Sequence, residues 1–229
     1  MGSTVNSRAR PASDGRGVVG RLVVPVSRAP VALVAAVSGL AITVLVILGI
    51  AQRVAYPTLE LANLDSEASV ATGFSAALLW IAAVCWLLVA VTTQPRLLAH
   101  RIWWAVLALL ALDEGYAFHE RLERWSRIDW QVLYLPVLTV ASLAWLGVVR
   151  RHWPQRDARV LLGAGAAAWG GALLLELIQN WGGAPVSAAI YDPAMITEET
   201  LEMIGSTTLL IAAILVLRRT TDSGPGDDG

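Results

Sequence analysis

The sequence contains no lysine and a single cysteine, Cys85, and only 15% of its 229 residues are charged. A soluble domain carries about 25% charged residues, so an ordinary water-soluble globular protein is excluded. All 17 basic residues are arginine and the net charge is −1. No basic footprint is left for DNA or RNA, and nucleic acid is not an expected partner. One cysteine inside an apolar run rules out a disulfide framework, a CxxC redox pair and a cysteine zinc cluster. What the chain does have is apolar length: 56% of its residues are hydrophobic, with a mean hydropathy of +0.59.

Crossing about 30 Å of hydrocarbon at 1.5 Å per residue takes about 20 apolar residues. Six stretches qualify, at roughly 30–51, 69–92, 97–120, 130–149, 160–181 and 197–217. The first has an apolar core too long for a secretory signal and reads as a retained span. The expected fold is all-α, an integral membrane bundle of six transmembrane helices filling 21–219. Residues 1–20 and 220–229 are too polar to bury a core and read as disordered cytoplasmic tails.

Short cytoplasmic loops retain positive charge. With the N-terminus inside, Arg8, Arg10, Arg16, Arg21, Arg28, Arg96, Arg101, Arg150, Arg151, Arg156, Arg159, Arg218 and Arg219 fall on the cytoplasmic side. Only Arg53, Arg121, Arg124 and Arg127 fall outside. Both termini are therefore expected in the cytoplasm of a cell whose plasma membrane, of bacterial type, holds the bundle. The acids divide the opposite way. Only Asp14, Asp157, Asp222, Asp227 and Asp228 lie inside, and the other 13 of the 18 acids collect in outer loops or outer halves of spans.

Several of those acids lie within the spans. If the third span is one helix entered near Leu97, Asp113 stands about 24 Å along it. A carboxylate there costs roughly 2.5–3.5 kcal/mol on insertion scales and demands a partner or a wet cavity. At 100° per residue one face presents Asp113, Tyr116 and Glu120, with His119 at its edge, while Glu114 shares another face with Arg121. The plainer reading of Glu120 is a solvated pair with Arg124 at i,i+4. The fifth span ends with Glu176, Gln179 and Asn180 on one stripe, and Glu176 lies a full turn deeper than the other two. Its Gly163, Ala167 and Gly171 form a small-residue ridge suited to helix packing. The sixth span opens with Thr197 as a cap and Glu198 and Glu199 in its positive first turn. Glu202, five positions past that cap, is not explained by capping. His119 is the one outer histidine; His100 and His152 read as solvated neighbours of arginines at the cytoplasmic edge.

Acids gathered at low dielectric must hold protons or bind a cation. Asp113, His119, Glu120, Glu176 and Glu202 form a donor set of carboxylates and one imidazole that suits zinc, iron or manganese, although its spacing matches neither HExxH nor ExxH. At these residues the chain resembles a family of uncharacterised bacterial multipass membrane proteins. That family carries an LDE-x4-HE signature, here Leu112-Asp113-Glu114 and His119-Glu120. Its second signature, EE-x-LEM-x-G, reads here from Glu198 to Gly205. The resemblance implies the multipass fold and brings no activity with it.

Three functions compete. The first is an intramembrane enzyme on a lipid or isoprenoid substrate entering from the outer leaflet. Asp113, His119, Glu120, Glu176 and Glu202 would hold a metal or act as acid and base, with Tyr116 orienting or donating a proton. A metal-free form is a proton-initiated terpene cyclase, with aromatic faces steadying the cation. Of the ten tryptophans, Trp103, Trp104, Trp125, Trp130, Trp153 and Trp181 suit interface belts, and Trp80, Trp86, Trp145 and Trp169 suit core packing. The second function is a proton- or cation-coupled carrier, against which stands the lack of ionisable residues in inner halves of spans and of a repeat between spans 1–3 and 4–6. The third is a non-enzymatic partner or sensor whose polar groups fix helix packing.

Overall fold

The computed structural model describes residues 31–56, 58–66, 69–92, 98–180 and 188–222. Both expected tails fall outside them except for residues 220–222, which continue the last helix. Among the described residues there are seven α-helices, one short 3-10 turn (Glu60–Ala62) and no strand. The helices are α1 (Val31–Val54), α2 (Val70–Thr92), α3 (Leu98–Tyr116), α4 (Phe118–Ser126), α5 (Trp130–Arg151), α6 (Arg156–Asn180) and α7 (Ala188–Asp222). Five of them, α1, α2, α5, α6 and α7, are long and apolar enough to cross a membrane. The chain is a helical membrane protein.

Local chemistry sets several of the boundaries. Ser69 Oγ accepts the Thr72 N–H at 3.0 Å and starts α2. The Asp129 carboxylate accepts the Gln131 N–H at 2.8 Å and starts α5, whose last turn carries Arg150 and Arg151 against the negative end of the helix dipole. Two boundaries depart from the sequence reading. The expected third span divides at Ala117, which adopts φ 48° and ψ 49°. The last helix starts at Ala188, nine residues before Thr197, whose hydroxyl donates to the Pro193 carbonyl at 2.7 Å. Thr197 is therefore an interior helical residue, and Glu198 and Glu199 are not in a first turn.

The helices pack in the order α6, α7, α2, α3, α5, with α1 against the outside of α7. The shared core centres on Leu79, Trp86 and Val89 of α2, Leu107 of α3 and Ala212, Ala213 and Leu217 of α7. Lipid tails are as apolar as these side chains, so close fit rather than escape from water holds the helices together. Two devices serve that fit. Ser75 and Ser206 share a hydrogen bond of 3.0 Å between α2 and α7, worth about 0.6 kcal/mol in a bilayer. Glycines bring α6 and α7 together: a Cβ on Gly165 would stand 2.8 Å from Leu209, and one on Gly205 would stand 2.5 Å from the Trp169 indole. Of the small-residue ridge, Gly171 approaches Leu201, while Gly163 faces open space.

The packing order leaves an arc rather than a closed ring. Its ends, α5 and α6, scarcely touch, and the space between them is the site described next.

Candidate functional site

The break at Ala117 is what builds the site. A non-glycine residue in the left-handed region costs roughly 1–2 kcal/mol, and the Asp113 carboxylate supplies compensating bonds. Its Oδ1 accepts the backbone N–H of His119 at 3.0 Å and the hydroxyl of Tyr134 at 2.6 Å. Its Oδ2 meets Nδ1 of the same His119 at 3.0 Å. Asp113, on α3, thus caps the start of α4 and turns the His119 imidazole back towards the bundle. When the carboxylate accepts this bond, Nδ1 carries the proton and Nε2 is the other ring nitrogen. The Trp130 indole lies 5.0 Å from the His119 ring and donates its Nε1–H to Glu176 at 2.7 Å, linking α5 to α6. Gln179 and Glu198 are hydrogen-bonded between α6 and α7.

Apart from Gln179, these groups line a cavity of about 520 Å³. Asp113, Glu114, His119, Glu176, Glu198, Glu199 and Glu202 line it together with Trp130 and Tyr134. Inward the walls become apolar, with Leu110, Leu138, Leu146, Leu173 and Leu209 and the indoles of Trp103, Trp145 and Trp169. From Tyr134 to Trp145 along α5 this trough runs about 16 Å at 1.5 Å per residue. Glu202 is half-buried and lines the cavity, and its electrostatic neighbours are Glu114, Glu199, Glu198 and Glu176.

The expected single face of Asp113, Tyr116, His119 and Glu120 is not formed, because the left-handed Ala117 ends the shared helical register. Asp113 and His119 are brought into direct contact. Tyr116 is exposed and stacks on Phe118 at 5.8 Å, apart from the cavity wall. Glu120 pairs with Arg124 at 2.8 Å on the outer surface of α4, the plainer of its two readings. Glu176 and Glu202 reach the cavity from α6 and α7. Among the described residues no three His, Cys, Asp or Glu side chains converge as a group that could hold a metal ion. The side chain of Asn180 lies outside the described residues.

Four contributors to the site are not found by the sequence reading. Tyr134 has no signal in a run of apolar residues. Trp130 was placed in an interface belt, and Glu198 and Glu199 were explained as first-turn charges. The available hint for the last pair is Pro193: proline is favoured at the first helical position, so a helix starting there would already move both acids into the interior.

The opposite end of α3 holds a second polar pair. His100 and His152 are buried, with Nε2 atoms 2.9 Å apart, and Trp86 stacks on His100 at 5.7 Å. They are thus not solvated neighbours of arginines. Burial, reinforced by His100 and Arg151, pushes His152 down to about 4, which keeps it neutral at pH 7. This pair ties α3 to the end of α5.

The profile of a protein family described as a domain of unknown function (DUF8692) matches residues 30–217. No curated protein and no solved structure matches the chain.

Proposed function

The chain belongs to this family of unknown function, and we propose that it is an intramembrane acid–base enzyme acting on a lipid or isoprenoid substrate that enters sideways between α5 and α6. The observation that carries the reading is the Asp113–His119 contact at the polar end of a cavity with an apolar trough. A carboxylate on Nδ1 fixes the imidazole in one orientation and tautomer, and Nε2 is then the nitrogen that takes or gives a proton. Glu202, facing the cavity, is the second group in reach of the same volume. The trough places an aliphatic tail beside Leu138, Leu146 and Trp145 and brings the headgroup to the acids. The donor set Asp113, His119, Glu176 and Glu202 is spread along the cavity wall, which favours proton transfer over a compact metal centre.

Topology supports entry from the outer leaflet. In this reading α3 is a sixth crossing, its 19 residues covering about 28 Å. Its Arg101, Asp113 and Glu114 make it less apolar than the others, and neighbours α2 and α5 shield it. Arg101, Arg150, Arg151, Arg156, Arg159, Arg218 and Arg219 belong to the helix ends away from the cavity, and by the arginine bias this reading assigns both termini to the cytoplasm of a bacterial plasma membrane and Asp113 and His119 to the outer side. The helix α4 carries Phe118, Leu122 and Trp125 on one exposed face and lies along that surface as an interfacial helix.

A second reading has its own observation: Asp113 accepts three hydrogen bonds and Trp130 is bonded to Glu176, as polar groups that fix helix packing would be. One experiment separates the two. Membranes expressing the wild-type protein and His119→Gln are compared by lipid mass spectrometry, with both proteins purified as monodisperse species of equal melting temperature. The acid–base reading requires a lipid consumed by the wild type and spared by the variant, with turnover reduced by about 10²–10⁴-fold. Identical lipid profiles from two well-folded proteins would favour the packing role.

A further inference from the structure

The charge of the cavity identifies the headgroup it takes. Six carboxyl side chains line it, and His119 is the one basic side chain among the lining residues. The arginines of this end are engaged elsewhere or face outward: Arg53 pairs with Asp65 and Asp192, Arg124 pairs with Glu120, and Arg121 and Arg127 are exposed. A phosphate or carboxylate headgroup would therefore meet acids without a guanidinium to clamp it.

Glu202 adds an independent observation. It is half-buried in the cavity wall, it takes part in no hydrogen bond among the described residues, and the groups that act on it electrostatically are the acids Glu114, Glu199, Glu198 and Glu176. A carboxyl among acids in such a wall is stabilised by a proton or an external cation. The walls around the cavity are of the kind cations prefer, since Trp103, Trp130, Trp145, Trp169 and Tyr134 present indole and phenol surfaces to it.

We propose that the cavity binds a cationic amphiphile, an amine or quaternary ammonium headgroup on a single aliphatic tail. The ammonium sits against Glu202 and the neighbouring acids, and the tail runs inward past Trp145. The proposal deepens the acid–base reading by naming its substrate class, and it rests on that reading only for turnover, not for binding.

The test uses purified full-length protein in a non-ionic detergent, titrated with dodecyltrimethylammonium, dodecyl sulfate and dodecanol, with tryptophan fluorescence as the readout. The ammonium is expected to bind at least about tenfold more tightly than the other two. Glu202→Gln is expected to remove about tenfold of that preference. Gly170→Leu, which introduces a side chain where the backbone faces open space in the cavity wall, is expected to weaken the ammonium and the alcohol alike. Equal or tighter binding of the sulfate or the alcohol would overturn the proposal, and so would an unchanged ammonium affinity in a folded Glu202→Gln protein. The wild-type comparison of three probes stands even if a variant fails to fold. His119→Gln should keep ammonium binding. Binding without any lipid turnover would remove the enzyme reading and leave this one, and turnover without ammonium selectivity would do the reverse.

Discussion

Asp113 shows how one residue decides the character of the site. A carboxylate inside a membrane bundle is costly unless its oxygens are satisfied, and here three donors from two other helical segments converge on it. The same bonds that lower its cost set the tautomer of His119 and close the break between α3 and α4. Tyr134 is the donor whose loss is cleanest to measure, because Tyr134→Phe removes one hydroxyl from a buried ring and leaves its packing on Trp130 in place. A hydrogen bond to a charged group contributes about 1.5–3 kcal/mol. Tyr134→Phe should therefore lower stability in detergent by that amount, read as a fall in melting temperature. Asp113→Asn made in the same background should cost less than it does in the wild type, since the two residues share one bond. Strict additivity of the two changes would mean that the hydroxyl does not act on Asp113.

The helices were legible in the sequence wherever one chemical rule governed a long stretch. Apolar length alone places α1, α2, α5 and α6 to within a few residues, because the bilayer thickness sets one scale for all of them. The breaks were illegible for a physical reason. Ala117 carries no glycine or proline signal, and its left-handed turn is held by a carboxylate four residues earlier and a histidine two residues later. A helical wheel drawn through it consequently grouped Glu120 and Tyr116 with Asp113 when only His119 returns to it. The early start of α7 was hidden in the same way by Thr197, which has the chemistry of a cap but spends its hydroxyl on the Pro193 carbonyl. The sequence marks Gly163, Ala167 and Gly171 as a ridge for helix packing, with no partner helix named, whereas α6 and α7 approach most tightly at Gly165 and Gly205. The second of these makes an element-scale prediction. A Cβ on Gly205 would stand 2.5 Å from Trp169 Cδ1 and 3.3 Å from the Gly165 carbonyl oxygen, so the methyl has backbone behind it and an indole in front. Gly205→Ala should destabilise the protein by about 1–3 kcal/mol and push the Trp169 ring into the cavity, with a shift in tryptophan emission. A variant as stable as the wild type, with unchanged emission, would show that α6 and α7 are not held this closely.

At the scale of the whole molecule, the arc of helices and the charge asymmetry make one joint statement about the membrane. The polar end of the cavity, the Arg53–Asp65–Asp192 contacts and α4 share one end of the bundle, and the His100–His152 pair shares the other with Arg150, Arg151 and Arg219. If both ends are set by the arginine bias, the loop after α1 and the loop after α3 lie outside and the α5–α6 turn lies inside. That requires α2 and α3 both to cross, and it can be tested with almost no background, because the single native thiol, Cys85, is buried in the core. Acidic positions are the right ones to replace, since carboxylates contribute little to orientation and the arginine count stays intact. Glu60→Cys and Glu123→Cys, both at exposed positions, should react with a membrane-impermeant maleimide in intact cells. Asp157→Cys, whose carboxylate is exposed beside Arg219, should react only after the membrane is opened. Labelling of Glu60→Cys and Glu123→Cys on opposite sides would remove α3 as a crossing. Labelling of Asp157→Cys alone from outside would invert the bundle, place Asp113 and His119 at the cytoplasmic leaflet, and move the source of any amphiphile that reaches them from the cell exterior to the cytoplasmic lipid pool.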